Sequence, residues 1–193
     1  IPLATTEGAL VASVNRGSKA VSLSGGVRVL AQNVGVTRGP VFETKTLEQA
    51  SKLTLWLEKS EKKIQKAAQS TSKHIRYLKH KACVVGSYTF VRLHFNTGDA
   101  MGMNMATIAT DAICHVIQKE TGVRCISIAG NFDIDKKPAW LNSIDNRGFK
   151  VNAEVIIKKE HLSKVLKTST QKIFDVWLAK CMLGSAISGS TGF

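Results

Sequence analysis

The sequence predicts an α+β fold: a small module of strands and helices at about residues 41–130, inserted between two parts of a larger α/β unit. Three observations predict it. Leu47, Ala50, Leu53, Leu57, Ile64 and Ala67 recur at helical spacing. Tyr88 to Phe95 alternates as a half-buried strand does, with Tyr88, Phe90, Arg92 and His94 on one face and Thr89, Val91, Leu93 and Phe95 on the other. A second helical pattern, from Met105 to Ile117, separates that strand from another at Arg124 to Ala129. The chain has 193 residues, 44% of them hydrophobic, which gives one ordinary domain or two small ones enough apolar material for a core.

Taken in order, Ala9 to Val14 reads as a helix after the turn Thr5-Thr6-Glu7-Gly8, and Ala20 to Ala31 as a strand with a bulge signal at Gly25-Gly26. Thr37-Arg38-Gly39-Pro40 is a loop by composition. Val41 and Phe42 open a short strand. Thr46 followed by Gln49 is a capping-box signature for the long helix after it. Ala82 to Val85 and Tyr88 to Phe95 form a hairpin around Gly86-Ser87. The resulting order β-α-β-β-α-β is the split βαβ, or ferredoxin-like, arrangement. A loop from Gly130 to Pro138 follows, then a strand from Ala153 to Ile157 and a helical run from His161 to Ala179. The expected organisation is therefore residues 1–40 as the first part of the large unit, 41–130 as the small domain, and 131–193 as a loop and the second part of the large unit.

The formal charge is +13, from 27 basic and 14 acidic residues, so anionic partners are expected. The densest basic stretch, Lys59 to Lys81, reads first as a solvated helix face. Cys83, Cys114, Cys125 and Cys181 form no CxxC pair and read as buried free thiols in a reducing compartment. The histidines show no metal-ligand spacing, so no metal is expected. No apolar run reaches the length of a membrane span, no secretory signal opens the chain, and a cytoplasmic location is expected. The chain starts at Ile1 and stops at Phe193 after a glycine-rich segment, and both ends read as cuts in a longer protein.

The run Gly98-Asp99-Ala100-Met101-Gly102-Met103-Asn104-Met105 lies between an alternating strand and a helical pattern. Bare backbone at a helix N-terminus offers unpaired N–H groups and partial positive charge to a phosphate. This turn, together with Pro2 to Ser13, Thr37-Arg38-Gly39-Pro40, Asp135-Lys136-Lys137-Pro138 and Leu183-Gly184-Ser185-Ala186, resembles in order the motifs of hydroxymethylglutaryl-coenzyme A reductase of the class I, archaeal and eukaryotic type. The resemblance covers essentially the whole chain.

It implies NADPH-dependent reduction of hydroxymethylglutaryl-CoA to mevalonate and CoA by two hydride transfers, in the mevalonate pathway. By the same resemblance Lys136 stabilises the oxyanion that forms when the thioester carbonyl accepts hydride, and Glu7 supplies a proton. Arg38, Asn131, Asp135, Lys137 and Lys180 would hold the hydroxymethylglutaryl part. Ser13, Asn15 and Arg16 would lie near the CoA phosphates. Asp99, Met101, Gly102, Met103, Asn104 and Met105 would form the NADP turn, with Ser72 and Lys73 receiving the ribose phosphate. The family's active sites lie between subunits, which implies a homodimer or tetramer. Without the resemblance, Lys136 reads as a solvated loop lysine and Glu7 as an acid in the first turn of a helix.

Two departures from the family stand in the chain. Lys73 replaces an arginine, which removes a forked phosphate contact, and Ala129 replaces a serine whose hydroxyl contacts substrate. A third acidic catalytic residue, a histidine that protonates CoA and a second glycine-rich NADP segment would come after Phe193, so these 193 residues alone are expected to be inactive. The rival readings are an RNA-binding module that stacks bases on Tyr88 and Phe90, and a structural fragment that binds neither CoA nor NADPH. The absence of a role for the 98–105 turn in such an RNA-binding module argues against a nucleic-acid partner.

Overall fold

The computed structural model describes residues 5–190. It is a mixed α/β structure with an antiparallel sheet, and it divides into two compact units, residues 32–150 and residues 1–31 with 151–193. β1 (Arg28–Arg38) and β6 (Gly148–Glu154) carry the chain across the division. The compact unit around the small domain thus starts before residue 41 and runs on past residue 130.

In the unit of residues 32–150, β4 (Tyr88–Asn96) is the organising strand. It pairs antiparallel with β3 (Arg76–Val85), with β2 (Val41–Glu43) and with the end of β1, while β2 pairs with β5 (Arg124–Ser127). Thr89, Val91, Leu93 and Phe95 are buried as the alternation requires. They face a core with Leu53 and Leu57 of α2 (Leu47–Lys59), Ile64 of α3 (Glu61–Gln69), and Ala106, Ile113 and Ile117 of α4 (Met103–Thr121). Each fully buried Leu, Ile or Phe contributes about 1.5–3 kcal/mol.

The other face of β4 is covered as well. Arg92 and His94 are buried, and Phe90 is half-buried with its ring edge-on to Phe132, 6.3 Å between centroids. Only Tyr88 of the four is exposed, so the aromatic platform expected of an RNA-binding sheet is not offered. The chain after residue 130 covers this face.

Several elements differ from their expected bounds. The long helix is two: Ser60, at φ −113° and ψ 23°, closes α2 and opens α3. β3 begins at Arg76, well before Ala82, and slips register between Tyr77 and Lys79. As an edge strand it turns a charged face to water, which obscures its alternation. α4 is longer than expected and is bracketed by left-handed glycines, Gly102 at φ +72° and Gly122 at φ +76°. Of the cysteines only Cys114 is buried; Cys83 lies on the outward face of β3, and Cys125 and Cys181 are half-buried. The basic residues of the 59–81 stretch are exposed, in keeping with a solvated face.

In the other unit, α1 (Gly8–Leu23) takes the first four residues of the segment expected as a strand, Ala20 to Leu23, whereas its last four, Arg28 to Ala31, do lie in β1. The Gly25-Gly26 pair is its stop signal and not a bulge: Gly26 N–H donates to the Val21 carbonyl at 3.0 Å and Gly25 N–H to Ser22 at 3.2 Å. The segment from 153 to 157 is extended only as far as Glu154. The expected helix from 161 to 179 is broken into α6 (Lys159–Lys164) and α7 (Thr170–Val176), with Lys167 left-handed at φ +53° and the Ser169 hydroxyl capping α7. A π-helical segment (Trp177–Gly184) and α8 (Ser185–Ile187) follow. Ala20 and Leu162 are buried here, whereas Leu10, Val11, Val14, Phe174, Trp177, Met182 and Leu183 are exposed. Among the described residues no helix is long and apolar enough to cross a membrane.

Candidate active site

The loop after β5 carries the predicted oxyanion lysine. Its backbone is unusual: Asn131, Ile134 and Lys136 stand at φ +66°, +50° and +55°. A β-branched residue in that region costs free energy, and the surroundings must fix it. Gly39 provides one anchor. A Cβ there would come within 2.5 Å of the Asp133 amide nitrogen, so the loop packs directly on bare backbone. Gly130 N–H donates to the Gly39 carbonyl at 2.7 Å, tying the loop's first residue to the same point.

Side chains complete the anchoring. The Thr37 hydroxyl donates to the Asp133 carbonyl at 2.7 Å. Arg38 donates through Nη1 to Asp133 Oδ2 at 3.1 Å, and through Nε and Nη2 to the Thr107 hydroxyl of α4 at 2.9 and 2.8 Å. Arg147 joins three segments: Nε reaches Thr37 Oγ1 at 2.8 Å, and Nη2 reaches Asp135 Oδ1 at 2.9 Å and the Met103 sulfur at 3.0 Å. Lys137 Nζ donates to Asn131 Oδ1 at 2.9 Å, whereas Lys136 is exposed. The structure thus brings together Arg38, Asn131, Asp135, Lys136, Lys137 and Met103 of the expected residues.

The turn before α4 has the character the sequence predicted. The helix starts on Gly102 with no side-chain cap and no acid in its first turn, so its first N–H groups are free for an anion. A Cβ on Gly102 would lie 2.3 Å from Thr97 Cβ, so both the space and the positive φ require glycine. Asp99, Met101 and Asn104 are exposed, Met103 is buried, and Met105 packs against the core. Ser72 and Lys73 lie just before β3, whose first residue Arg76 pairs with Asn96 at the end of β4. Both segments therefore sit at the same end of the β3–β4 pair. The Ser72 hydroxyl accepts from His74 N–H at 3.1 Å, and Lys73 is exposed.

The remaining expected residues belong to the other unit. Glu7 is the N-cap of α1; its carbonyl accepts from Leu10 and Val11, and its side chain is exposed. Ser13, Asn15 and Arg16 are exposed on α1, and Lys180 is exposed on the π-helical segment. Among the described residues no group of three His, Cys, Asp or Glu side chains could hold a metal.

The family model for hydroxymethylglutaryl-coenzyme A reductase matches residues 1–193. The chain belongs to the hydroxymethylglutaryl-coenzyme A reductase family. It is 45% identical to the reductase of Aeropyrum pernix and 41% identical to that of Methanothermobacter thermautotrophicus, in each case over all of its length. It covers 46% and 49% of those proteins, so the chain spans about half the length of the curated relatives it matches. Its fold is similar to two structures of the Streptococcus pneumoniae 3-hydroxy-3-methylglutaryl-CoA reductase. One has a TM-score of 0.67 at 16% identity, covering 88% of this chain and 38% of that one. The other, of class II and bound to NADPH in open conformations, has a TM-score of 0.64 at 15% identity, covering 83% and 42%.

Sequence reasoning assigned no role to four side chains that support the loop: Thr37, Thr107, Asp133 and Arg147. Thr107 lies one helical turn after Met103, to whose carbonyl its hydroxyl donates at 2.8 Å, which is the local signal that could have placed it beside the turn. The others meet partners as far as 110 residues away and leave no spacing pattern.

Proposed function

We propose that the protein carrying this chain reduces hydroxymethylglutaryl-CoA to mevalonate and CoA with two NADPH, in the mevalonate pathway. The observation that supports this reading most is the family match over every residue of the chain, joined to a strained loop that fixes the backbone of Lys136. NADPH, when bound, supplies the hydride. The chain's own part is to hold and neutralise. The free N–H groups at the start of α4 suit the cofactor's phosphates, and Ser72 and Lys73 suit the ribose phosphate. Lys136 neutralises the oxygen that becomes negative as the thioester carbonyl is reduced, an interaction stronger in the transition state than before it. Glu7 returns a proton to that oxygen, and Arg38, Asn131, Asp135, Lys137 and Lys180 hold the acyl group. Ser13, Asn15 and Arg16 face the CoA phosphates.

We read residues 41–130 as a ferredoxin-like NADP-binding domain; the antiparallel pairings β5–β2–β4–β3 support it. We also read the active sites as lying between subunits of a homodimer or tetramer. The exposed apolar side chains of α1 and of the 170–187 segment support a surface that further protein covers. By this reading the 193 residues alone are inactive, and the activity is cytoplasmic. The test is hydroxymethylglutaryl-CoA-dependent oxidation of NADPH by the full-length protein. Its absence, in a preparation that is folded and binds NADPH, would overturn the reading.

A further inference from the structure

Arg92 is fully buried on β4, yet only its Nη2 is hydrogen-bonded; Nε and Nη1 have no hydrogen-bond partner. A buried guanidinium is costly unless it is paired and hydrogen-bonded, so its few partners carry weight. Nη2 donates to Asn142 Oδ1 at 2.8 Å and, more weakly, to the Asn146 carbonyl at 3.4 Å, while Nη1 lies 3.6 Å from Asp145. Asn142 in turn donates through Nδ2 to the Ile134 carbonyl at 3.1 Å and the Lys137 carbonyl at 3.5 Å. The amide orientation is forced. A guanidinium only donates and a carbonyl only accepts, so the oxygen must face Arg92 and the nitrogen must face the loop.

The two carbonyls that Asn142 grips bracket Lys136. One belongs to Ile134, the left-handed β-branched residue, and the other follows Lys136, itself left-handed. Such a backbone holds only when its surroundings over-determine it. We propose that Arg92 and Asn142 are positioning residues: the sheet's buried guanidinium locks the Asn142 amide, and the amide holds the 134–137 backbone so that Lys136 is presented to the reacting carbonyl. This rests on the reading of Lys136 as the oxyanion lysine. The link from Arg92 to the loop is a rigid one, because Arg92 lies on the central strand and not on a loop.

The test has two arms in the full-length protein. Hydrogen exchange reads the loop without reference to any reaction. In Asn142→Ala the Ile134 amide, bonded to the Asn131 carbonyl at 3.2 Å, and its neighbours to residue 137 should exchange about tenfold faster or more, with β3 and β4 unchanged. Asn142→Asp keeps the acceptor for Arg92 but loses the donors to the loop, so it should loosen the loop as much as the alanine does. Kinetics reads the consequence: kcat should fall by up to about 100-fold with the KM for NADPH unchanged, and Asn142→Gln should recover part of it. Loop exchange equal to wild type in both the Ala and Asp variants would overturn the proposal. So would a loosened loop with unchanged kcat. A wild-type protein without reductase activity would instead refute the functional reading, while the exchange arm still judges the anchoring.

Discussion

Arg38 and Asp133 meet at 3.1 Å, with the Asp133 side chain only 4% exposed and that of Arg38 18%. They lie 95 residues apart in sequence. The pair docks the loop on the end of β1, and it shows that the arginine expected to grip the substrate already holds a carboxylate of its own chain.

Removing that carboxylate leaves a shielded cation beside Thr107 alone. Asp133→Ala should destabilise the protein by about 2–3 kcal/mol, measured by urea denaturation. A change under about 0.5 kcal/mol would mean that the pair is screened like a surface ion pair.

Two glycines of the α4 turn should respond differently. Gly102→Ala meets both a positive φ and the Thr97 side chain, so it should distort the helix start and weaken NADPH binding, at a cost of about 1–3 kcal/mol. Gly98 has φ +64° but open space around it, so Gly98→Ala should cost only about 1–2 kcal/mol of backbone strain. Nucleotide titration and thermal melts of the two variants check the order.

His94 donates through Nδ1 to the Val34 carbonyl at 3.1 Å, and burial pushes its pKa down to about 4, with Arg92 and Lys79 adding to the shift. The native state therefore keeps it neutral where the unfolded chain, near 6.5, takes up a proton. Its contribution is complete above about pH 6.5 and is lost as the pH falls from there to about 4. The full effect is of the order of 3 kcal/mol. Denaturation across that window should show the slope, and His94→Gln should flatten it.

Much of this fold was legible because it is local. Thr46 does cap α2, accepting from Gln49 N–H at 3.2 Å, and Gly86 makes the hairpin turn at φ +56°. The alternation of β4 correctly grouped Val91, Leu93 and Phe95 on one face, and in the structure all three are buried. What failed locally failed for physical reasons. The β-branched Val21 sits inside α1 beside the buried Ala20, although its side chain favours a strand. Lys79 and Lys81 disguised β3 because an edge strand can be polar. The candidate site was legible only through long motifs. Its support by Arg92, Asn142 and Arg147 joins residues that no window along the chain sees together, and the burial of Arg92 opposes the ordinary expectation for an arginine.

The oxyanion role of Lys136 is tested by Lys136→Ala in the full-length protein, assayed for hydroxymethylglutaryl-CoA-dependent NADPH oxidation alongside NADPH binding. Loss of an oxyanion partner should lower kcat by about 100-fold or more while the cofactor's Kd stays within about twofold. A variant as active as wild type would contradict the role of Lys136 and, with it, the account of why the loop is so firmly held.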